Sequence, residues 1–166
     1  MNYCLECGTR LILKPNKKEG LVPFCTCCGE FRFPVFSTAV SMIVLSPDES
    51  KILLIQQYGK GNNVLVAGYV NKGENAEHAA EREVMEEIGL GVHGLRFTKS
   101  EYFPNSHTLM INFACVAEGE SLLGVDREEV DEAAWFSIDE AVRNIKPNSL
   151  AQKFLMNYLQ NIRTAR

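Results

Sequence analysis

The chain has 166 residues, 46% hydrophobic and 23% charged, enough for one domain with a sizeable core and a small appendage. A net charge of -4 and a pI near 5.4 give no broad basic surface, so charge alone suggests neither a nucleic-acid nor a membrane partner. The start, MNYCLECGTRLILK, has no apolar run of signal-peptide length, and no later segment approaches a membrane span, which makes the cytoplasm the expected compartment.

Five of the six cysteines lie in the first 28 residues. They form two Cys-x-x-Cys-Gly knuckles, Cys4 to Gly8 and Cys25 to Gly29, with seventeen residues between Cys7 and Cys25. Each knuckle places two sulfurs on one side of a tight turn, and two such turns complete a tetrahedron, so Cys4, Cys7, Cys25 and Cys28 are expected to hold a structural Zn²⁺ with no open ligand position. A disulfide or redox pair would not call for a second matching knuckle. Cys27 is the spare sulfur, because only Cys25 with Cys28 has the knuckle spacing. Cys115, in the apolar run Ile111 to Val116, is expected to be a buried strand residue. A zinc ribbon over residues 1–34, too short for its own core and folded largely by its metal, is followed after Pro34 by a second domain, 35–166.

In that domain residues 38–45 (TAVSMIVL), 51–58 (KILLIQQY) and 63–70 (NVLVAGYV) read as strands separated by turn-like Ser-Pro-Asp and Gly-Lys-Gly-Asn. A helix is expected over Ala76–Ile88, with Asn75 as N-cap and Gly89 as its stop. Strands are expected at Leu95–Ser100, Leu109–Ala117 and Ala133–Phe136. Helical periodicity returns over 138–144 and in the last segment, where Leu150, Phe154, Leu155, Tyr158, Leu159 and Ile162 form one stripe. The mixed order predicts an α/β or α+β domain.

Residues 68–90 (GYVNKGENAEHAAEREVMEEIGL) concentrate six acidic side chains against one lysine and one arginine. Glu83, Glu86 and Glu87 stand at i, i+3 and i+4 and share a helix face, while Ala79, Ala80, Val84 and Ile88 turn toward the sheet. A surface helix would interleave lysines; a hard divalent cation requires clustered oxygen ligands.

The same stretch fits a longer pattern: Gly68, five residues, Glu74, seven residues, then Arg82-Glu83-Val84-Met85-Glu86-Glu87-Ile88-Gly89-Leu90. This is the Nudix box without a mismatch, which chance would supply in a chain of this length roughly once in ten million or less. The chain thereby resembles the Nudix hydrolases, which cleave a nucleoside diphosphate linked to another moiety. The resemblance implies a mixed β-sheet sandwiched between helices, with the box as loop, helix and loop. It implies that Glu83, Glu86 and Glu87 bind Mg²⁺ or Mn²⁺, that Arg82 braces them, that Glu74 orients Arg82 or closes the loop, and that the Ala67 carbonyl is a further metal ligand.

The knuckles, the run Glu129 to Phe136 and the closing Ser149-Leu150-Ala151 extend the resemblance to the NADH pyrophosphatase subgroup over nearly the whole chain. On that basis Glu129 is an additional metal-binding carboxylate, Phe33 and Tyr69 are aromatics near a bound base, and Ala151 is a substrate contact. The subgroup's post-box motif, Ser-Gln-Pro-Trp-Pro-Phe-Pro followed by Ser-Leu-Met, stands here as Ser100-Glu101-Tyr102-Phe103-Pro104-Asn105-Ser106-His107-Thr108-Leu109-Met110. It supplies Glu101, Phe103 and Thr108 as substrate contacts, with Phe103 beside the base, but has lost an aromatic and two prolines. Val35 replaces a usual arginine, and no counterpart of the subgroup's large N-terminal domain is expected. These departures leave the metal chemistry intact and the substrate open between NADH or NAD and ADP-ribose or another nucleotide conjugate. His107 is either a phosphate or base contact or simply exposed; His78 and His93 carry no signal.

The expected partners are a small-molecule nucleotide and a second copy of the chain in a homodimer, with NAD-capped RNA as the one compatible nucleic-acid substrate. Two alternatives belong to other classes: a regulator whose zinc ribbon binds nucleic acid and whose Nudix domain senses a ligand, and an interaction role with the ribbon as a dimer arm. Arg10, Lys14, Lys17 and Lys18 are the ribbon's evident basic cluster.

Overall fold

The computed structural model describes residues 2–164 and divides into two compact units, the first ending at Phe36 and the second beginning at Ser37. In the first unit β1 (Ile12–Asn16), β2 (Gly20–Cys25) and β3 (Glu30–Phe31) pair antiparallel in that order. Sequence pattern misses these strands because β1 buries almost nothing, leaving no in-out alternation to read. The two knuckles are built alike. Gly8 N–H donates to the Cys4 carbonyl and Gly29 N–H to the Cys25 carbonyl, both at 2.9 Å, and the two glycines sit at φ 70° and 74°. That left-handed conformation closes each turn and favours glycine after the second cysteine.

The second unit is built on a mixed sheet of β4 (Ser37–Leu45), β5 (Lys51–Gln56), β6 (Val66–Tyr69), β7 (Val92–Phe103), β8 (Thr108–Ala117) and β9 (Glu132–Ser137). Its order is β7-β8-β4-β5-β9, with β6 also paired to β4. The parallel β4–β8 pair runs from Ser37↔Thr108 to Leu45↔Val116, and the other pairings are antiparallel. β4 is buried on both faces and splits its side chains between two cores. Val40, Met42 and Val44 pack with Ala79, Ala80, Val84 and Ile88 of α1 (Ala76–Ile88). Ile43 and Leu45 pack with Ala141 of α2 (Ile138–Asn144) and Phe154, Leu155, Tyr158 and Leu159 of α3 (Leu150–Thr164). The sheet thus lies between helices, as expected. Among the described residues no helix is long and apolar enough to cross a membrane.

Helix ends follow their local chemistry. Asn75 accepts the His78 N–H at 2.8 Å, and Gly89 closes α1 at φ 72°. Ser137 and Glu140 form a reciprocal capping box at the start of α2. Strand ends differ more from the sequence reading. β5 stops at Gln56, two residues early, because Tyr58 and Gly59 turn to φ 60° and 63°. β7 begins at Val92 rather than Leu95; Gly94 at φ 64° sits in a break of register between His93 and Arg96 that interrupts the alternation. The 63–70 segment narrows to Val66–Tyr69, preceded by a bridge between Val64 and Ile55.

Candidate active site

Arg82 is the hub of the box. Its Nε donates to Glu74 Oε1 at 2.8 Å and its Nη2 to Glu74 Oε2 at 3.0 Å, a two-pronged grip, while Nη2 also reaches the Tyr69 carbonyl at 3.0 Å. Its Nη1 donates to Glu83 Oε1 at 2.8 Å and Glu86 Oε2 at 2.7 Å. One guanidinium therefore ties the end of β6, the following loop and two carboxylates of α1 together. Glu74 is held down to about 2, first by Arg82 and then by the Asn71 N–H at 3.0 Å.

Gly68 explains the close approach of the strand to the helix. A Cβ there would lie 1.9 Å from the Glu83 carboxyl carbon, so any side chain would displace that carboxylate. Glu83 and Glu87 are buried, at 9% and 3% exposure, whereas Glu86 is open to solvent. Helical spacing gives no sign of this burial. Gly68 lets strand backbone cover Glu83, and Gln57 Nε2 donates to Glu87 Oε1 at 3.1 Å. Glu87 Oε2 is buried without a hydrogen-bond partner. Desolvation raises Glu83, and it pushes Glu87 up to about 8, with the neighbouring Glu83, Glu129 and Glu86 charges adding to the shift on Glu87.

Glu129 arrives from the loop before β9. The Asp126 N–H donates to the Glu87 carbonyl at 2.9 Å and Val130 N–H to the Asp126 carbonyl at 2.9 Å, which seats this turn on the C-terminal end of α1. Beyond it, Asp131 N–H donates to the Gln56 carbonyl at 2.8 Å and Asp131 Oδ2 accepts the Gly59 N–H at 2.6 Å. The result is a cleft of about 360 Å³ into which Glu83, Glu86, Glu87 and Glu129 converge. Ala67, Gly68, Tyr69 and Asn71 form one wall, and Tyr58 lines the cleft from the turn after β5. Clustered carboxylates, one with an orphaned buried oxygen, form a donor set suited to a hard divalent cation.

The remaining sequence-predicted contacts of the second unit do not line this cleft. Glu101 is ion-paired with Lys153 of α3. Ala151, also on α3, packs against the second core. Thr108 is buried, and its hydroxyl is used within its own turn, donating to the Ser106 carbonyl at 3.1 Å and accepting from Ser106 Oγ at 2.9 Å. Phe103 is half-buried at the end of β7, paired in register with Thr108. His107 sits at φ 51°, with Nδ1 3.1 Å from the Tyr102 hydroxyl. Phe33 is exposed in the first unit. Gln57 and Tyr58 are missed as site residues because the sequence reading places them at the end of the 51–58 strand, with Gly59 to Asn62 as the turn after it.

In the first unit the Cys4, Cys7, Cys25 and Cys28 sulfurs all lie within 4.8 Å of one another, with Cys4–Cys28 at 3.9 Å and Cys7–Cys25 and Cys7–Cys28 at 3.4 Å. A tetrahedron of sulfurs about 2.3 Å from zinc has edges of roughly 3.8 Å, so the cluster fits that ion, and the separations are too long for disulfides. Arg32 Nε donates to Cys4 Sγ at 3.2 Å and holds that thiol below its usual range. Cys28 is pushed up to about 12, first by Cys7 and then by Cys25. Four sulfurs this close are a donor set compatible with a bound cation such as Zn²⁺. Cys27 is exposed and outside the cluster, and Cys115 is buried in β8.

A strand, loop and helix here collect carboxylates around one arginine, a donor set suited to cations. Residues 35–158 match the NUDIX domain family, and the chain belongs to it. It is 28% identical over 157 residues to the NAD-capped RNA hydrolase NudC of Stutzerimonas stutzeri, covering 95% of this chain and 55% of that protein. It is 31% identical over 155 residues to the protein of the same name from Escherichia coli O1:K1, covering 92% and 58%. The chain thus spans a little over half the length of these curated relatives. Among solved structures, a Nudix hydrolase from Nitrosomonas europaea superposes with a TM-score of 0.71 over 100% of this chain and 94% of that one; at 20% identity this is a likeness of fold.

Proposed function

We propose that this protein is a divalent-cation-dependent pyrophosphohydrolase that cleaves NADH or NAD to AMP and the nicotinamide mononucleotide. The observation that carries the reading is the Arg82-braced cluster with Glu87 Oε2 buried and unpartnered in a cleft. Mg²⁺ or Mn²⁺ held by Glu83, Glu86, Glu87 and Glu129, with Ala67 beside them, would neutralise the diphosphate oxygens and lower the pKa of a bound water. The chain's own residues fix the geometry. Arg82 aligns Glu83 and Glu86, Glu74 anchors Arg82, and Gln57 orients Glu87. Water adds to one phosphorus, the P–O–P anhydride opens, and two phosphate monoesters leave. In the first unit, Zn²⁺ on Cys4, Cys7, Cys25 and Cys28 would be structural, because four thiolates leave no open position.

Similarity to NAD-capped RNA hydrolases supports an NAD-containing substrate. Charge favours the free dinucleotide over capped RNA: the unit beginning at Ser37 carries 18 acidic against 12 basic side chains. The preceding segment's five basic and three acidic side chains are offset once four thiolates bind one Zn²⁺. ADP-ribose is the second reading, since the altered stretch Ser100 to Met110 places Glu101 and Thr108 in contacts of their own. The deciding experiment is product analysis by mass with NADH, NAD, ADP-ribose and NAD-capped RNA in Mg²⁺ or Mn²⁺, using isotopic water to locate the attacked phosphorus. AMP and reduced nicotinamide mononucleotide are expected. Brisk hydrolysis of ADP-ribose with NADH untouched would move the protein to the second reading.

A further inference from the structure

Tyr58 is 77% exposed, so it contributes little to the core, yet it lines the same cleft as Glu83, Glu87 and Glu129. Its backbone sits at φ 60°, a left-handed conformation unfavourable for a bulky side chain and easy for the glycines beside it, Gly59 at 63° and Gly61 at 53°. The turn is also tied to the carboxylate cluster on both sides. Gln57 donates to Glu87 at 3.1 Å, and Gly59 N–H donates to Asp131, two residues from Glu129, at 2.6 Å. Lys60 Nζ lies 5.5 Å from the Tyr58 ring, a cation–π contact that favours one ring position. Tyr69, from the end of β6, offers a second exposed ring on the same cleft. An exposed aromatic in a disfavoured conformation, anchored through its neighbours to the site, has no packing role to explain it.

Resting on the pyrophosphohydrolase reading, we propose that Tyr58 is a specificity-determining residue whose ring stacks on a heteroaromatic ring carried by the diphosphate substrate. Every nucleobase and the nicotinamide presents a π-face, and stacking on an aromatic side chain corresponds to roughly five- to hundredfold in affinity. The adenine and the nicotinamide are the two rings NADH supplies; ADP-ribose carries the adenine alone.

The test compares wild type with Tyr58→Ala, Tyr58→Phe and Tyr58→Gly on NADH and ADP-ribose, with Mg²⁺ present. Tyr58→Ala is expected to raise KM about tenfold with kcat changed less than about threefold, and Tyr58→Phe to stay within about twofold of wild type. A rise for both substrates assigns the adenine; a rise for NADH alone assigns the nicotinamide. Tyr58→Gly, which relieves the left-handed backbone, is expected to melt at or above the wild-type temperature while losing affinity like Tyr58→Ala, a combination that a merely structural tyrosine would not give. Calorimetric binding of AMP and of nicotinamide mononucleotide keeps the question separate from turnover. Wild type that cleaves neither substrate overturns the functional reading, whereas about tenfold weaker binding of one mononucleotide to Tyr58→Ala still supports the stacking role. Unchanged affinities for both, no binding of either to wild type, or a Tyr58→Phe as impaired as Tyr58→Ala would overturn it.

Discussion

The two units of this chain hold themselves together by different means. In the first, Cys4, Val22 and Cys25 are the described buried residues, and Leu5, Leu13 and Leu21 stand more than 60% exposed. In the second, the sheet closes two hydrophobic clusters against α1 on one side and α2 with α3 on the other. On the proposed zinc reading, the first unit depends on what its four sulfurs bind; the second depends on area removed from water. The second unit also buries its functional charge. Glu87, with its Oε2 unpartnered, sits inside a framework stable enough to hold it there, a burden the first unit has no core to carry.

The sharpest way to break this contrast is to remove the cation from each unit. Purified protein is expected to carry about one zinc per chain, and stripping it should unfold the first unit while the second keeps its cooperative melt, because structural zinc contributes on the order of 10 kcal/mol or more to small domains. Zinc analysis with spectra resolved for each unit checks this. Cys4→Ser and Cys28→Ser should behave like stripped protein and Cys27→Ser like wild type; equal loss from Cys27→Ser and Cys28→Ser would show the cluster to be misassigned.

The second unit should respond in the opposite sense. Glu87→Gln is expected to lower kcat by about a hundredfold or more, as loss of a ligand exceeds the usual effect of losing an outer-sphere partner. It should also stabilise the protein by roughly 1 to 3 kcal/mol without added divalent cation, since a desolvated charge is removed. Kinetics and denaturant melts on one preparation test both halves. A variant both inactive and less stable would mean that Glu87 supports the fold.

A smaller structural effect is expected from Gly68→Ala. Its Cβ must push the Glu83 carboxylate aside, so affinity for Mg²⁺ should fall by roughly ten- to a hundredfold with modest loss of stability. Titration of activity against Mg²⁺ reads this directly.

The mildest test uses pH. Burial raises Glu87 from 4.5 to about 8, so the folded state favours the protonated form. Stability from this group is fully present below the unfolded value and is lost as pH rises through the folded one. Without added divalent cation, the advantage of Glu87→Gln over wild type should therefore widen from pH 5 to pH 8 and level off above it. Saturating Mg²⁺ should erase the difference in slope.

How much of this was readable from sequence depended on whether the evidence was local. The box, its helix caps and the paired knuckles rest on spacings within one turn or one helix, and α1 spans Ala76–Ile88 as expected. The Arg82 network lies almost wholly inside that window. What escaped was long-range or irregular: Gln57 reaches Glu87 across thirty residues, and Tyr58 faces the cleft because of a backbone turn that no periodicity encodes. Burial of Glu83 and Glu87 also escaped, since a helical wheel marks a shared face but not the strand covering it. The contacts transferred from the altered stretch after the box lie elsewhere; Glu101 has its partner in Lys153, and Phe103 is at a strand end outside the cleft.

The segment from Asp126 to Asp131 is fastened at one end to the last turn of α1 and at the other to the end of β5. Its consequence is temporal. As the chain emerges or refolds, Glu83, Glu86 and Glu87 can meet within a single nascent helix, whereas Gln57 and Glu129 join them only after the sheet has gathered distant parts of the chain. Cation affinity should therefore rise in two stages, weak when the helix forms and tight when this segment docks, so that rapid-mixing experiments with a divalent probe would time the closing step of folding in the second unit.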